Sequence, residues 1–133
     1  MGLDKNSVVT RVEADPSGDP MHIQTEAELG PFFVAAEPCT ICGVSAIPGD
    51  GVTANIGGYA VITVYRHDAD GSNRAKVGDL STAKLSLAAT ETVIFDTVGG
   101  AIDMLPGQYL SRDVHKVGVG VELPKVWINV AFE

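Results

Sequence analysis

Hydrophobic and polar residues alternate over short stretches of this chain, a pattern typical of β-strands with one buried face. The clearest example is the stretch 126–132, in which every second residue is apolar. We expect this apolar set to face a core and Trp127 to lie on the opposite side of the strand. The inward set is Val126, Ile128, Val130 and Phe132.

Residues 59–66 form the strongest predicted strand. Both of its faces are largely apolar or aromatic, which predicts a strand in the centre of a sheet or covered on both sides. Residues that favour turns separate it from its neighbours. The other predicted strands span residues 32–35, 40–47, 84–88, 92–96, 102–105 and 108–115, and a glycine-spaced connection spans residues 116–124.

Some seven or eight short antiparallel strands at this spacing indicate an all-β fold, either a β-sandwich or a jelly roll. A chain of 133 residues suits one such domain. Its 15 glycines and 7 prolines are difficult to reconcile with long helices. A helix is conceivable only near residues 78–87, where the helical period is poor.

The first 30 residues differ from the rest of the chain. The sequence Asp15-Pro16-Ser17-Gly18-Asp19-Pro20 disfavours regular structure, because proline lacks a backbone N–H and the adjoining residues favour turns. We therefore predict an extended N-terminal arm over residues 1–30 and a single β-sandwich domain over residues 31–133.

The chain is acidic, with 9 Lys and Arg against 17 Asp and Glu and a formal net charge of −8. Such a chain repels phosphates on average, so we expect no direct binding to nucleic acid or to a membrane surface. No apolar stretch is long enough to span a bilayer, and residues 1–7 lack the apolar segment of a signal peptide. We expect a protein made in a cytoplasm and not exported.

The two cysteines, Cys39 and Cys42, form a C-x-x-C sequence, a spacing found in redox pairs and in half of a zinc site. A zinc site needs two more ligands, and His22, His67 and His115 are not at ligand spacing. A redox pair normally opens a helix, whereas these cysteines lie in a β-prone stretch. We interpret them as small buried or half-buried thiols that point to opposite faces of a strand.

Asp68, Asp70 and Asp79 form the best candidate for a metal site, because carboxylates at alternate loop positions can wrap a hard cation such as calcium. However, Asn73 stands where an EF-hand loop has its glycine, and no flanking helices are predicted. A hairpin turn explains the same residues by conformation alone. We assign no metal site, and whether these three carboxylates bind a cation stays open.

No catalytic or cofactor-binding residue is assigned. A nucleophile needs a base that a third group orients, and nothing in the sequence specifies such a set. His115, beside Arg112 and Asp113, is interpreted as part of a solvated strand end. Gly118-Val119-Gly120 lacks the third glycine and the following helix of a dinucleotide-binding loop. We expect a protein that is not an enzyme and carries no cofactor.

The order of glycines, prolines and strands over residues 31–133 resembles that of the small β-sandwich head decoration and head-fibre proteins of tailed bacteriophages. The resemblance rests on segments without catalytic signatures. These segments are Pro31-Phe32-Phe33-Val34-Ala35-Ala36, Ile47-Pro48-Gly49-Asp50, Val52-Thr53-Ala54-Asn55, residues 59–66, Asp68-Ala69-Asp70-Gly71, Leu85-Ser86-Leu87, Leu105-Pro106-Gly107-Gln108-Tyr109-Leu110, and residues 116–121 with Pro124.

The resemblance implies a structural protein on the outside of a virion capsid. Its partner would be the major capsid protein, its usual assembly a homotrimer, and its role to brace the joints between capsid subunits. Several features of the chain agree with this role. An arm can order on a neighbouring subunit, Trp127 can contribute to a subunit contact, and net acidity can keep free copies soluble.

Three other interpretations stay open. The chain could be a tail, baseplate or fibre-base component of a virion. It could be a carbohydrate-binding or calcium-dependent adhesion module that uses Trp127 and the tyrosines as a sugar platform, or the three aspartates named above. An enzyme on a jelly-roll scaffold is the weakest interpretation, because the histidine cluster of such enzymes is missing.

Overall fold

The computed structural model describes residues 6–14, 31–97, 102–118 and 123–133. In these ranges the chain forms ten β-strands and no helix, and so nothing described has the length and apolarity of a membrane-spanning helix. The strands are β1 (Asn6–Ala14), β2 (Pro31–Val34), β3 (Cys39–Pro48), β4 (Tyr59–His67), β5 (Ala75–Ser81), β6 (Val93–Ile94), β7 (Asp96–Thr97), β8 (Ile102–Met104), β9 (Tyr109–Val117) and β10 (Leu123–Phe132).

The strands form two antiparallel sheets of five strands each. In the first sheet the order is β1-β10-β3-β6, and β8 also pairs with β3. In the second sheet the order is β2-β9-β4-β5-β7. The predicted all-β sandwich is confirmed, with ten strands in the described residues instead of seven or eight.

The core lies between the two sheets and is formed by alternate residues of their long strands. In β10 the predicted inward set is confirmed for Val126, Ile128 and Val130, which are fully buried. The fourth member, Phe132, is half-buried at the margin of the core, where its ring centroid lies 4.7 Å from that of Phe33. Burial of this apolar surface is the main force that holds the sheets together.

The prediction of a central strand at residues 59–66 is also confirmed. β4 pairs with β9 on one side and with β5 on the other, so it lies in the middle of the second sheet. Its inward residues, Ala60, Ile62 and Val64, are all inaccessible to solvent. Of its outward residues, Thr63 is buried and the others are half-buried, so no side chain of this strand is fully exposed.

The N-terminal residues correct one expectation. Residues 6–14, which the sequence pattern assigns to the arm, form β1 and pair with β10 from Asn6 opposite Phe132 to Ala14 opposite Leu123. Val12 is buried in the core, so the β-sandwich domain includes part of the predicted arm and does not begin at residue 31. The remaining residues of the predicted arm, 1–5 and 15–30, lie outside the described part of the chain.

The region between β4 and β8 differs from the prediction in three places. Residues 75–81 form β5, where the sequence predicts no strand and a helix is conceivable. The predicted strand at 84–88 does not form, and Leu87 makes only an isolated bridge with Val52. The predicted strand at 92–96 is divided between the sheets, because β6 pairs with β3 and β7 pairs with β5.

Residues 116–124 are predicted to be a connection. The structure extends β9 through Val117, which pairs with Tyr59 of β4, and begins β10 at Leu123, which pairs with Ala14 of β1. Residues 119–122, including Val119 and Gly120, lie outside the described part. Gly118 follows β9 with a φ of +92°, a conformation that side chains other than glycine rarely adopt.

Candidate functional site

The outer face of the first sheet carries exposed apolar side chains. Four of them form what we call the apolar patch: Val9, Ile47, Ile94 and Trp127, with exposed fractions of 57%, 41%, 71% and 40%. Trp127 lies directly opposite Ile47 in the register of β10 and β3. Val9 and Ile94 are each one diagonal step further along the same face. The patch therefore crosses the sheet from β1 to β6.

Trp127 is the centre of this patch, and its surroundings are cationic. Its indole lies against the turn after β3, so closely that a Cβ added to Gly49 would lie 3.1 Å from the ring. Arg11 is opposite Trp127 on β1, and Lys125 precedes it by two positions on the same face of β10. An indole with cations on neighbouring positions is a typical anchor for a protein contact.

A shallow groove of about 370 Å³ borders the patch at its β1 end. It is lined by Val9, Thr10, Arg11, Arg112 and Trp127. Val9 and Trp127 also belong to the apolar patch, so the groove and the patch are continuous. Arg112 comes from β9 of the second sheet, and its guanidinium lies 5.6 Å from the ring centroid of Phe32. The groove therefore lies between the edge strand β1 of the first sheet and β9 of the second.

The outer face of the second sheet is polar, and many of its side chains contact one another. His67 stacks on Tyr109 with the ring centroids 4.6 Å apart and the planes within 8° of parallel. The Nε2 atom of His67 lies 2.6 Å from the Oγ atom of Ser111. On the same face the guanidinium of Arg74 lies 4.1 Å from the ring centroid of Tyr65. Many polar and aromatic side chains of this face therefore already have partners within the chain.

The contact between His67 and Ser111 brings a hydroxyl next to a base, which the sequence did not indicate. Nucleophilic catalysis requires a third group that orients the base. The other ring nitrogen, Nδ1 of His67, is buried and has no hydrogen-bond partner among the described residues. Ser111 is also largely buried. Within the described part of the chain, the pair therefore lacks a group that orients the histidine and a hydroxyl that is open to a substrate.

The turn between β4 and β5 uses its carboxylates for internal hydrogen bonds. Asp68 accepts hydrogen bonds from Asn73 at 2.7 Å and from Gln108 at 2.9 Å, and these two bonds lower the pKa of its carboxyl group. Asp70 accepts bonds from the hydroxyl of Ser72 at 2.6 Å and from its N–H at 2.9 Å. These bonds lower the pKa of Asp70 in the same way.

The three aspartates of the candidate metal site do not converge on one point. Asp79 lies in β5 and its carboxylate forms an ion pair of 3.0 Å with Lys76, which raises the pKa of that lysine. Asp68 and Asp70 lie in the preceding turn. Among the described residues no group of three or more His, Cys, Asp or Glu side chains could hold a metal ion.

The remaining candidate residues are also dispersed. Cys39 is half-buried, and burial, with a smaller effect of Glu37, raises the pKa of its thiol. Cys42 is exposed, so the expectation of a buried or half-buried thiol is wrong for this residue, which lies where the pairing of β3 with β10 shifts register. His115 lies within β9 opposite Val61, not at a strand end.

A single sugar platform of aromatic rings is not formed. Trp127 lies on the outer face of the first sheet, whereas the tyrosines lie on strands of the second sheet, β4 and β9. These faces are on opposite sides of the sandwich. The sequence pattern of β10 did indicate that Trp127 points outward, but it gave no sign that Val9 and Ile94 lie on the same face of the sheet.

No protein-family model and no curated protein matches the chain. Two of the solved structures similar to it belong to infectious bursal disease virus. The Gx strain structure is 15% identical with a TM-score of 0.32, and the whole chain covers 40% of that protein. The Gt strain structure is 14% identical with a TM-score of 0.28, at 45% coverage. Because both TM-scores are below 0.5, neither comparison supports a conclusion about this chain.

Proposed function

We propose that this protein is a non-enzymatic structural protein of a bacteriophage virion, a capsid decoration protein that binds the outer surface of the major capsid protein lattice. The proposal starts from the resemblance in the order of strands, glycines and prolines over residues 31–133. The observation that carries it is the apolar patch. Apolar surface of this kind on a small acidic domain marks a contact with another protein.

The mechanism of such a protein is binding. Each copy covers parts of two or more capsid subunits and opposes their separation, so the assembled shell gains stability with every occupied site. We propose a homotrimer as the binding unit, made in the host cytoplasm and added to the capsid exterior. The net charge of −8 keeps free copies apart before they bind.

The supporting experiment compares two isoleucines of nearly equal exposure. Ile94 belongs to the patch and is 71% exposed, whereas Ile56 lies outside it and is 70% exposed. Heads assembled without the protein are mixed with wild-type protein, Ile94→Ser or Ile56→Ser, and bound protein is measured by cosedimentation. We expect Ile94→Ser to bind about tenfold more weakly, because an apolar contact is lost, and Ile56→Ser to bind like the wild type.

Heads saturated with the protein should also disrupt at a higher temperature than bare heads. Equal disruption temperatures would reject the decoration role. Labelling that is confined to the tails of intact particles would reassign the protein to the tail, baseplate or fibre base. A thermal shift that requires calcium or a glycan would instead support an adhesion module.

A further inference from the structure

The groove at the β1 end of the apolar patch has a composition that differs from the rest of the chain. Two of its five lining residues, Arg11 and Arg112, are cations. Lys125 lies near Arg11 on the outer face of the first sheet. In the chain as a whole acidic side chains outnumber basic ones by 17 to 9. A cationic groove on an acidic protein is suited to an anionic partner.

The guanidinium groups have the capacity to bind such a partner. Arg11 and Arg112 each interact with another group of the chain. A guanidinium has five N–H donors in a planar fork, and so it can hold a carboxylate while it keeps another contact. Trp127 supplies an adjacent apolar wall, and tryptophan with arginine is a combination enriched at the energetic centre of protein interfaces.

The edge of the first sheet indicates the shape of the partner. β1 pairs with β10 on one side, and no described strand pairs with its other side. A strand at the edge of a sheet offers main-chain N–H and C=O groups to an extended peptide. The groove follows this strand through its three consecutive residues Val9, Thr10 and Arg11.

We propose that the groove binds an extended acidic segment of the capsid partner, with one of its carboxylates between Arg11 and Arg112 and a neighbouring side chain against Trp127. This proposal rests on the proposed function, since it names the chemistry of the partner that the apolar patch contacts. The patch would supply the apolar part of the contact. The groove would orient the bound segment and make its affinity depend on charge.

Trp127 is the only tryptophan of the chain, so its fluorescence reports on the groove without any need for heads. The probe is the peptide acetyl-Thr-Asp-Thr-Glu-Thr-amide, and the neutral control is acetyl-Thr-Asn-Thr-Gln-Thr-amide. We expect a saturable change of fluorescence with the acidic peptide, weakened by added salt. Arg11→Gln should reduce the affinity about tenfold, because one charged hydrogen bond is lost. Arg74→Gln, which changes an exposed cation beside Tyr65 of the second sheet, should have no effect.

Arg112→Gln is a second test, but Arg112 packs over Phe32 and this variant can fail to fold. Arg11 is exposed, and so Arg11→Gln keeps the proposal testable. Equal binding of both peptides, binding of neither, or full competition by inorganic phosphate would overturn the proposal. Self-association that depends on Arg11 without peptide binding would instead identify a second copy as the occupant.

The chain's own carboxylates need a separate comparison. Residues 15–30 contain Asp15, Asp19, Glu26 and Glu28 and no Lys or Arg. If only a variant with these four residues changed to amides bound the acidic peptide, the occupant would be this segment and the external partner would be rejected. Loss of head binding in Ile94→Ser with normal binding of Arg11→Gln would refute the groove proposal alone and leave the decoration role intact.

Discussion

The two outer faces of the sandwich use their side chains in different ways. On the second sheet, His67 is stacked on Tyr109 and bonded to Ser111, and Asp79 is paired with Lys76. On the first sheet, the four residues of the apolar patch have large exposed fractions. The outer face of the first sheet therefore leaves apolar side chains in solvent, whereas the outer face of the second sheet has many contacts within the chain.

Under the proposed function, this difference separates residues that hold the fold from residues that would contact a partner. Substitutions on the second sheet should reduce the free energy of unfolding, because they break contacts within the chain. Substitutions in the apolar patch should leave folding almost unchanged and reduce association. The predictions below test this distinction, from the largest expected effect to the smallest.

Gly118→Ala should have the largest effect. A Cβ at this position would lie 2.6 Å from the carbonyl oxygen of Gly57, and φ is +92°. Because the contacting atoms belong to the backbone, they cannot move aside without a large energetic cost. We expect a loss of about 2–4 kcal/mol of unfolding free energy in urea titrations. Gly43→Ala on the first sheet is the matched control, because a Cβ added there would meet no atom within 4 Å. Similar losses of unfolding free energy in both variants would contradict the expectation that the close contact and the positive φ at Gly118 cause the loss.

His67→Ala should cost about 1–2 kcal/mol, because it removes a stacked ring and the hydrogen bond with Ser111. The control is His115→Ala on the same sheet, which we expect to cost less than half as much. Both values come from the urea dependence of circular dichroism. An unchanged unfolding free energy in His67→Ala would mean that the contacts of His67 with Tyr109 and Ser111 do not stabilise the fold.

The turn after β4 should contribute to stability in a pH-dependent manner. The folded-state pKa values of Asp68 and Asp70 lie below the ordinary value of 3.8, because both carboxylates accept hydrogen bonds. Their contribution is therefore present above about pH 4 and is lost as the pH falls through the lowered folded values. The double variant Asp68→Asn/Asp70→Asn should lose less stability than the wild type on acidification from about pH 5 to about pH 2. Parallel pH profiles would show that these hydrogen bonds do not stabilise the fold.

Ile94→Ser should have the smallest effect on folding, within about 0.5 kcal/mol, because its side chain is already 71% exposed. The midpoint of thermal unfolding is the measurement, with Ile56→Ser as the reference. A marked loss of stability in Ile94→Ser alone would show that the apolar patch belongs to the fold and would remove the main support for an interface there.

The sequence was sufficient to predict a strand where the strand's own residues alternate or form an apolar run. Alternation in β10 and the apolar run of β4 predicted both strands, and for β10 it also predicted which residues face the core. β5 was missed because Lys76, Gly78 and Asp79 give it no strand-like composition. It becomes a strand because β4 supplies its backbone partners, and this contact is not visible in the local sequence.

The candidate surfaces were harder to predict for a related reason. Whether an apolar residue is exposed depends on which distant segment covers it. Val9 and Trp127 lie near opposite ends of the chain and become neighbours only through the pairing of β1 with β10. His67 and Ser111, 44 positions apart, meet through the pairing of β4 with β9. The prolines after residue 14 also concealed β1, since they suggested that regular structure begins later.

The division of residues 93–97 between the sheets has a mechanical consequence. Ile94, in the apolar patch, is the last residue of β6, and Asp96 opens β7 in the opposite layer. Only Phe95 separates them, with its side chain buried and its N–H bonded to the carbonyl of Val44 at 2.9 Å. A shift of one sheet relative to the other would therefore have to displace Phe95 from the core and stretch its hydrogen bond with Val44.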